Sequence, residues 1–216
     1  MTLCVALLGG SFDPVHNGHV ALGALFAKLL APDELRIIPA GNPWQKSSLR
    51  ASALDRVAML ELAFADASLQ VTMDLQEIER NAPTYTVDTL RNVRAQLGPD
   101  ASLIFLMGAD QLLHLDTWRD WRHLFDLAHI GVAARPGFSL AGAVLPPAVA
   151  IELQQRQGSL EQLRNTPSGH AYVAQSLAVD VSSTQVRAAL QRGEQANSLI
   201  SPVVLDYIQH HNLYKI

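Results

Sequence analysis

Cysteine is almost absent from this chain. Cys4 stands alone, which excludes an internal disulfide and fits a reducing compartment. Because Cys4 lies inside an apolar run, a small inert core residue is expected rather than a reactive thiol. Charge is sparse as well: charged residues make up 17% against 49% apolar residues, so disorder is excluded over most of the length. A basic excess is missing. Sixteen Lys and Arg face twenty Asp and Glu, a formal charge of −4, and that field repels a polyanion, so no nucleic acid polymer is expected as partner. Long hydrophobic runs are missing too. The opening stretch lacks a basic n-region and reads as no signal peptide, and the weakly polar segment 138–151 is interrupted by Pro146 and Pro147, too short to span a bilayer. A soluble cytoplasmic protein without a membrane partner is expected.

What is present is alternation. The 216 residues suit a single domain over 1–216, with no repeat and no low-complexity linker. Short apolar runs alternate with segments of helical period, the pattern of crossover units on a parallel sheet. Strands are expected near 3–8, 35–38, 69–73, 103–107, 129–133 and 171–173. Helices are expected near 18–30, 52–65, 88–97, 148–157, 183–192 and 202–210, with short helices in the Trp-rich stretch 118–127 and a surface loop over 135–147. Gly98 with Pro99, and Gly193, supply stop signals. The expected class is α/β, a doubly wound parallel sheet with helices on both faces.

Two segments carry chemistry. Gly9, Gly10, Ser11, Phe12, Asp13, Pro14, Val15, His16, Asn17, Gly18 and His19 lie between the first strand and the first helix, where a doubly wound sheet binds ligands. Two glycines let backbone approach a ligand, and a helix start presents amide groups and the positive end of its dipole to an anion. His16 and His19, three apart, can each donate to a phosphate oxygen. A zinc pair lacks an evident third ligand, and two polar surface histidines remain an alternative. No GxGxxG follows the first strand and no GxxxxGK[ST] occurs, which disfavours hydride-transfer dinucleotide and P-loop readings. Near the other terminus, Ser182, Ser183 and Thr184 supply hydroxyls ahead of a helix with Arg187 expected on its first turn. Arg187 offers a planar fork of donors to phosphate, or else is a solvated helix-face residue. Between the two, Lys46 sits in a loop with Gly41, Pro43 and Trp44, placed so that a flexible cation can close over a triphosphate. Trp118 and Trp121, three apart, are either core anchors or, for one of them, a flat platform for a ring.

In this order GGSFDPVHNGH and VSSTQVR resemble the HxGH and ISSTxxR-like signatures of the nucleotidyltransferase superfamily. ERNAPTYTVDTL from Glu79, MGADQLLHLDTWRDW from Met107, ARPG from Ala134 and the ending SPVVLDYIQHHNLY narrow the likeness to the bacterial nicotinate mononucleotide adenylyltransferase family. The match spans nearly the whole chain and is weakest over 138–171. The resemblance implies a Rossmann-like sheet on which ATP, with Mg²⁺ as its companion ion, and nicotinate mononucleotide give deamido-NAD and pyrophosphate, a step of NAD biosynthesis. It implies His16, His19, Lys46 and Arg187 as catalytic phosphate contacts, with no resident metal. Ser182, Ser183 and Thr184 would take the β and γ groups, in C-terminal helices from about 183 that complete the ATP site, and Asp110 and Arg135 the adenosine side. Gly9, Gly10, Ser11, Phe12 and Gly108 would line the substrates, and Thr86 and Trp118 would receive the nicotinate ring and its carboxylate. One departure is visible: family members commonly carry a Pro-Pro-His run where this chain reads Asn42, Pro43, Trp44, Gln45, Lys46. Three other readings share part of the pattern. Pantetheine-phosphate or glycerol-phosphate nucleotidyltransferases lack a reason for TYTVDTL and WRDW, class I aminoacyl-tRNA synthetases are much longer, and a sensor would keep the fold without turnover.

Overall fold

The computed structural model describes residues 2–42, 49–80, 82–134, 145–174, 179, 181–194 and 196–215. Six strands form one sheet: β1 (Cys4–Gly10), β2 (Glu34–Pro39), β3 (Val71–Met73), β4 (Ser102–Gly108), β5 (His129–Ala133) and β6 (Ala171–Ala174). Their spatial order is β3-β2-β1-β4-β5-β6, and every pairing is parallel. Both faces must therefore be covered by crossovers, which is why β1 and β4 read as unbroken apolar runs. Successive side chains go to opposite layers. Cys4, Ala6 and Leu8 join one core with Leu22, Phe26, Met59, Val186 and Ile208, while Val5 and Leu7 join the other with Leu90, Leu112, Phe125 and Val149.

The first layer takes α1 (Asn17–Leu30), α2 (Ala53–Phe64), α7 (Leu160–Asn165), α8 (Ser183–Gln191) and α9 (Pro202–His210). The second takes α4 (Thr86–Leu97), α5 (Leu124–Leu127) and α6 (Pro147–Gln155). The expected doubly wound class is thus the observed one. The short α3 (Gln76–Glu79), the nine-residue 3-10 stretch Ala109–Thr117 and α7 were not anticipated; none carries enough turns for a helical period to register. The strand expected from 69 starts at Val71, and the helix expected from 88 starts at Thr86. The loop expected over 135–147 lies outside the described residues up to 144, and α6 already begins at Pro147. Cys4 is buried in the core. Among the described residues no helix is long and apolar enough to cross a membrane.

The chain leaves β1 toward β2 and β3 on one side and returns to β4, β5 and β6 on the other. The connections after β1 and β4 therefore diverge, and that divergence opens a crevice at the carboxyl ends of these two strands.

Candidate active site

A cleft of about 700 Å³ occupies this crevice. Gly9, Gly10, Ser11, His16, His19, Thr86, Gly108, Asp110, Trp118, Ser182, Ser183, Thr184 and Arg187 all line it, so residues expected to act together from opposite ends of the sequence share one wall-to-wall space. Phe12 does not line it: its ring is fully buried and meets the His19 ring edge-on at 4.8 Å. The residue expected to touch substrate packs beneath the imidazole instead. Lys46 and Arg135 lie outside the described residues.

His16 occupies the N-cap of α1 in extended conformation, and His19 is the third helical residue. The His16 backbone amide donates to Nδ1 of His19 at 3.2 Å, so a neutral His19 carries its proton on Nε2. The two rings stack with centroids 3.7 Å apart. Between them Gly18 has little room for a side chain: a Cβ there would meet His16 Nδ1 at 3.0 Å and the Val181 carbonyl oxygen at 3.3 Å, so the imidazole or the segment that leads into α8 would have to give by a few tenths of an ångström.

That segment differs from expectation in detail. Ser182 alone is the N-cap, accepting from the Gln185 amide in a capping box. Ser183 and Thr184 already belong to α8. Ser183 donates its hydroxyl to the Pro14 carbonyl, tying α8 to the loop after β1. Arg187 is the fifth residue of α8 rather than a first-turn residue, and it points back along the helix. Its Nη1 donates to the Asp13 carbonyl at 2.6 Å and its Nη2 to Thr184 Oγ1 at 3.2 Å. A solvated helix-face arginine is therefore excluded.

Sequence reasoning passed over the group on which this wall hangs. The Asp13 carboxylate, 4% exposed, accepts from the Arg50 and Ala51 amides at 2.8 and 3.0 Å and from the Tyr214 hydroxyl at 2.8 Å. Arg56, 1% exposed, donates to the Ser11 carbonyl at 2.8 Å; burial lowers its pKa against the opposing pull of Asp13. Asp13 beside Pro14 had a turn signal, but nothing local announces Tyr214, 201 positions away.

The opposite wall is built on β4 and α4. A Cβ on Gly108 would fall 2.6 Å from Asp110 Oδ1, so glycine at this position makes room for the Asp110 carboxylate. Thr86 opens α4, leaving first-turn amides without helical partners. The two tryptophans part company: Trp121 is in the core with Arg122 over its ring, whereas Trp118 lines the cleft, edge-on to Phe105 at 6.4 Å. Trp118 Nε1 is buried and finds no acceptor among the described residues. Arg119 also lines the cleft, its guanidinium over the Tyr85 ring. Glu77, another lining residue not foreseen, accepts from Thr89 Oγ1 at 2.7 Å. Burial pushes its carboxyl pKa up, against the lowering effect of that hydrogen bond. Among the described residues no three histidine, cysteine or carboxylate groups come together as a metal site.

Residues 7–189 match the model of the family described as cytidylyltransferase-like. A relative from Herminiimonas arsenicoxydans, named as a probable nicotinate-nucleotide adenylyltransferase, is 60% identical over 100% of this chain and 98% of its own. One of the same name from Laribacter hongkongensis is 46% identical over 99% and 95%. Among solved structures, the Plasmodium falciparum nicotinic acid mononucleotide adenylyltransferase complexed with NaAD superposes with a TM-score of 0.73 at 20% identity, covering 98% of this chain and 97% of that one.

Proposed function

The chain belongs to the nicotinate-nucleotide adenylyltransferases of the cytidylyltransferase-like family, and from that premise we propose that its cleft joins ATP to nicotinate mononucleotide, releasing pyrophosphate. The observation that carries this reading is the meeting of His16, His19 and Arg187 with Thr86 and Trp118 in one cleft. One wall offers donors to phosphate and the other a flat ring with unfilled donors.

The 5′-phosphate of the mononucleotide is already an anion and attacks the α-phosphorus of ATP directly. No general base and no covalent enzyme intermediate is required. The residues have to align two polyanions and stabilise the charge that moves onto pyrophosphate. Nε2 of His19, protonated as the tautomer requires, donates to a phosphate oxygen, with His16 stacked beside it. The N-terminus of α8, with Ser183, Thr184 and Arg187, takes the departing β and γ groups. Alignment of this kind supplies about 7 to 11 kcal/mol in favourable cases. Magnesium arrives on the triphosphate as part of the substrate, where it offsets phosphate charge and keeps much of its water. Asp110 takes the adenosine side. The same reading gives Lys46 a phosphate contact and Arg135 an adenosine contact, and it places the enzyme in the cytoplasm.

At the other wall Trp118 stacks on the pyridine ring, and Thr86 with the first amides of α4 donates to its carboxylate. An amide substituent brings its own N–H donors and no charge, so it cannot satisfy donors aimed at a carboxylate. Polar matching of this kind discriminates by up to about 10⁴. Purified protein with ATP, Mg²⁺ and either mononucleotide, assayed for pyrophosphate, tests both statements. Turnover with a large preference for the acid is expected. Comparable kcat/KM for acid and amide would refute the specificity and leave adenylyl transfer standing; no pyrophosphate with either would refute the transfer itself.

A further inference from the structure

The carboxyl-terminal end of the chain reaches into the wall of the cleft. Tyr214 is 6% exposed, and its hydroxyl donates to Asp13 Oδ1 at 2.8 Å. Asp13 lies three residues before His16. The same carboxylate accepts the amides of Arg50 and Ala51, which lead into α2, and Arg50 itself lines the cleft. The backbone carbonyl of Asp13 accepts from Arg187, while the carbonyl of Ser11, two residues before it, accepts from Arg56. One aspartate thus joins the loop after β1, the entry to α2, the second turn of α8 and the end of the chain.

This junction holds its backbone in unfavourable conformations. Phe12, next to Asp13, has φ 48°, and Tyr214 has φ 62°. Neither is glycine, and a bulky side chain in the left-handed region persists only when its surroundings over-determine it. Left-handed residues also occur at Ala31, Asp120 and Asn212, so what sets this junction apart is that its hydrogen bond ends on the cleft-lining Asp13. The other tyrosine of this region, Tyr207 of α9, donates its hydroxyl to Asp55 Oδ1 at 3.0 Å, away from the cleft lining.

We propose that Tyr214 is a positioning residue for the adenylyl transfer: through Asp13 its hydroxyl sets the aim of the His16–His19 segment and keeps the Arg187 fork on the loop carbonyl. The inference rests on the reading of the cleft as an ATP site. With the hydroxyl removed, Asp13 retains its two amide donors, but Oδ1 is left with the Ala51 amide alone and is no longer held from the segment after α9. The carbonyl held by Arg187 then turns with the residue. The loop loosens without losing any group that touches substrate, so chemistry suffers more than the fold.

The test pairs Tyr214→Phe with Tyr207→Phe, each of which deletes one hydroxyl from one terminal hydrogen bond. ATP·Mg affinity by calorimetry, kcat, KM for nicotinate mononucleotide and the thermal midpoint are read for both and for the unmodified protein. For Tyr214→Phe, kcat falls about tenfold and ATP·Mg binds several-fold more weakly, the scale expected of a small misalignment, while the mononucleotide KM stays within about twofold. Tyr207→Phe lowers the midpoint comparably and leaves kcat and ATP affinity unchanged. Equal kinetic effects of the two substitutions, or kcat and ATP affinity within about twofold of the unmodified protein in Tyr214→Phe, overturn the proposal, as does failure of Tyr214→Phe to fold at any temperature. An unmodified protein that binds no ATP and makes no pyrophosphate would fault the reading of the site instead.

Discussion

The two ends of the strands are built on opposite terms. At their amino ends two polar side chains among the described residues are fully engaged. Arg94 from α4 donates to the carbonyls of Gly98, Ala101, Leu127 and Pro167 at 3.0, 2.6, 2.6 and 2.8 Å, knitting together the starts of β4, β5 and β6. His129, fully buried, uses both ring nitrogens, on the Thr166 carbonyl at 2.7 Å and the His170 amide at 3.0 Å. At the carboxyl ends the sheet opens into a cleft, and there the Trp118 indole N–H is buried without an acceptor among the described residues. Buried polar groups are costly when unpaired. Pairing therefore marks the end that holds the fold, and the unpaired group marks the end that waits for a ligand. Substitutions should sort accordingly: those in the cleft at the carboxyl ends should change kinetics more than stability, and those at the amino ends should change stability at constant kinetics.

The strongest way to break this division is His19→Ala. It should lower turnover by about 10² to 10³, the scale for deleting one donor aimed at transition-state charge, and His16→Ala should behave similarly. The thermal midpoint should fall far less than turnover does, because the substitution takes from the fold the acceptor of the His16 amide and the ring contacts with Phe12 and His16. Near-normal turnover in a folded variant would remove His19 from the phosphate site.

Arg187→Ala comes next, with a loss of about 2 to 3 kcal/mol at the transition state from a missing charge-assisted fork. The effect should fall on ATP more than on the mononucleotide, since Arg187 sits beside the cap of α8. An equal effect on both substrates, measured by initial rates over a grid of concentrations, would reduce Arg187 to a tie between α8 and the Asp13 carbonyl.

Legibility follows the same division. Strands that must be apolar on both faces announced themselves, and β5 runs over His129–Ala133 as the sequence suggests. The helix ends with glycine punctuation were equally plain, with φ 87° at Gly98 and 70° at Gly193. His16, His19 and Ser182 were readable because helix starts have local chemistry. Phe12 was misread because proximity in sequence to the phosphate loop does not reveal which way a left-handed residue throws its side chain. Asp13, Arg56 and Tyr214 were missed because their partners are far off in the chain; hydrogen bonds over 45 and 201 positions leave no periodicity. The Trp118 and Trp121 alternatives needed the backbone between them, extended at Trp118 and left-handed at Asp120, so the two rings share no helical face.

At the amino ends, pH is the lever. Burial lowers the His129 pKa from 6.5 to about 4, so the folded protein holds the ring neutral where the unfolded chain would protonate it. The contribution to stability is complete above about pH 6.5 and is lost as pH falls from there toward 4, because the unfolded state binds the extra proton throughout that window. Between pH 7 and 5 the loss should be about 2 kcal/mol, seen as a falling urea midpoint. The Asp55 and Glu152 carboxyls, held below the usual carboxylate range by hydrogen bonds from Ser52 and Arg156, respond only at lower pH. His129→Gln should flatten the dependence above pH 5, and an unchanged slope would locate it elsewhere.

The smallest effect probes the unpaired group itself. Trp118→Phe keeps an aromatic face in the cleft and removes the indole Nε1–H, which has no acceptor among the described residues, together with part of the ring's volume. If that donor waits for substrate, the mononucleotide KM should rise about fivefold, close to 1 kcal/mol for one hydrogen bond, with ATP binding unchanged. The free protein should become slightly more stable, because a buried donor that cost energy to leave unpaired is gone. Those opposite signs separate a ligand donor from a packing residue: losing volume beside Phe105 would lower the midpoint through a cavity. A lower midpoint with unchanged KM would place the indole N–H with the packing of the second core layer, and Trp118 would then resemble Trp121 more than it resembles Thr86.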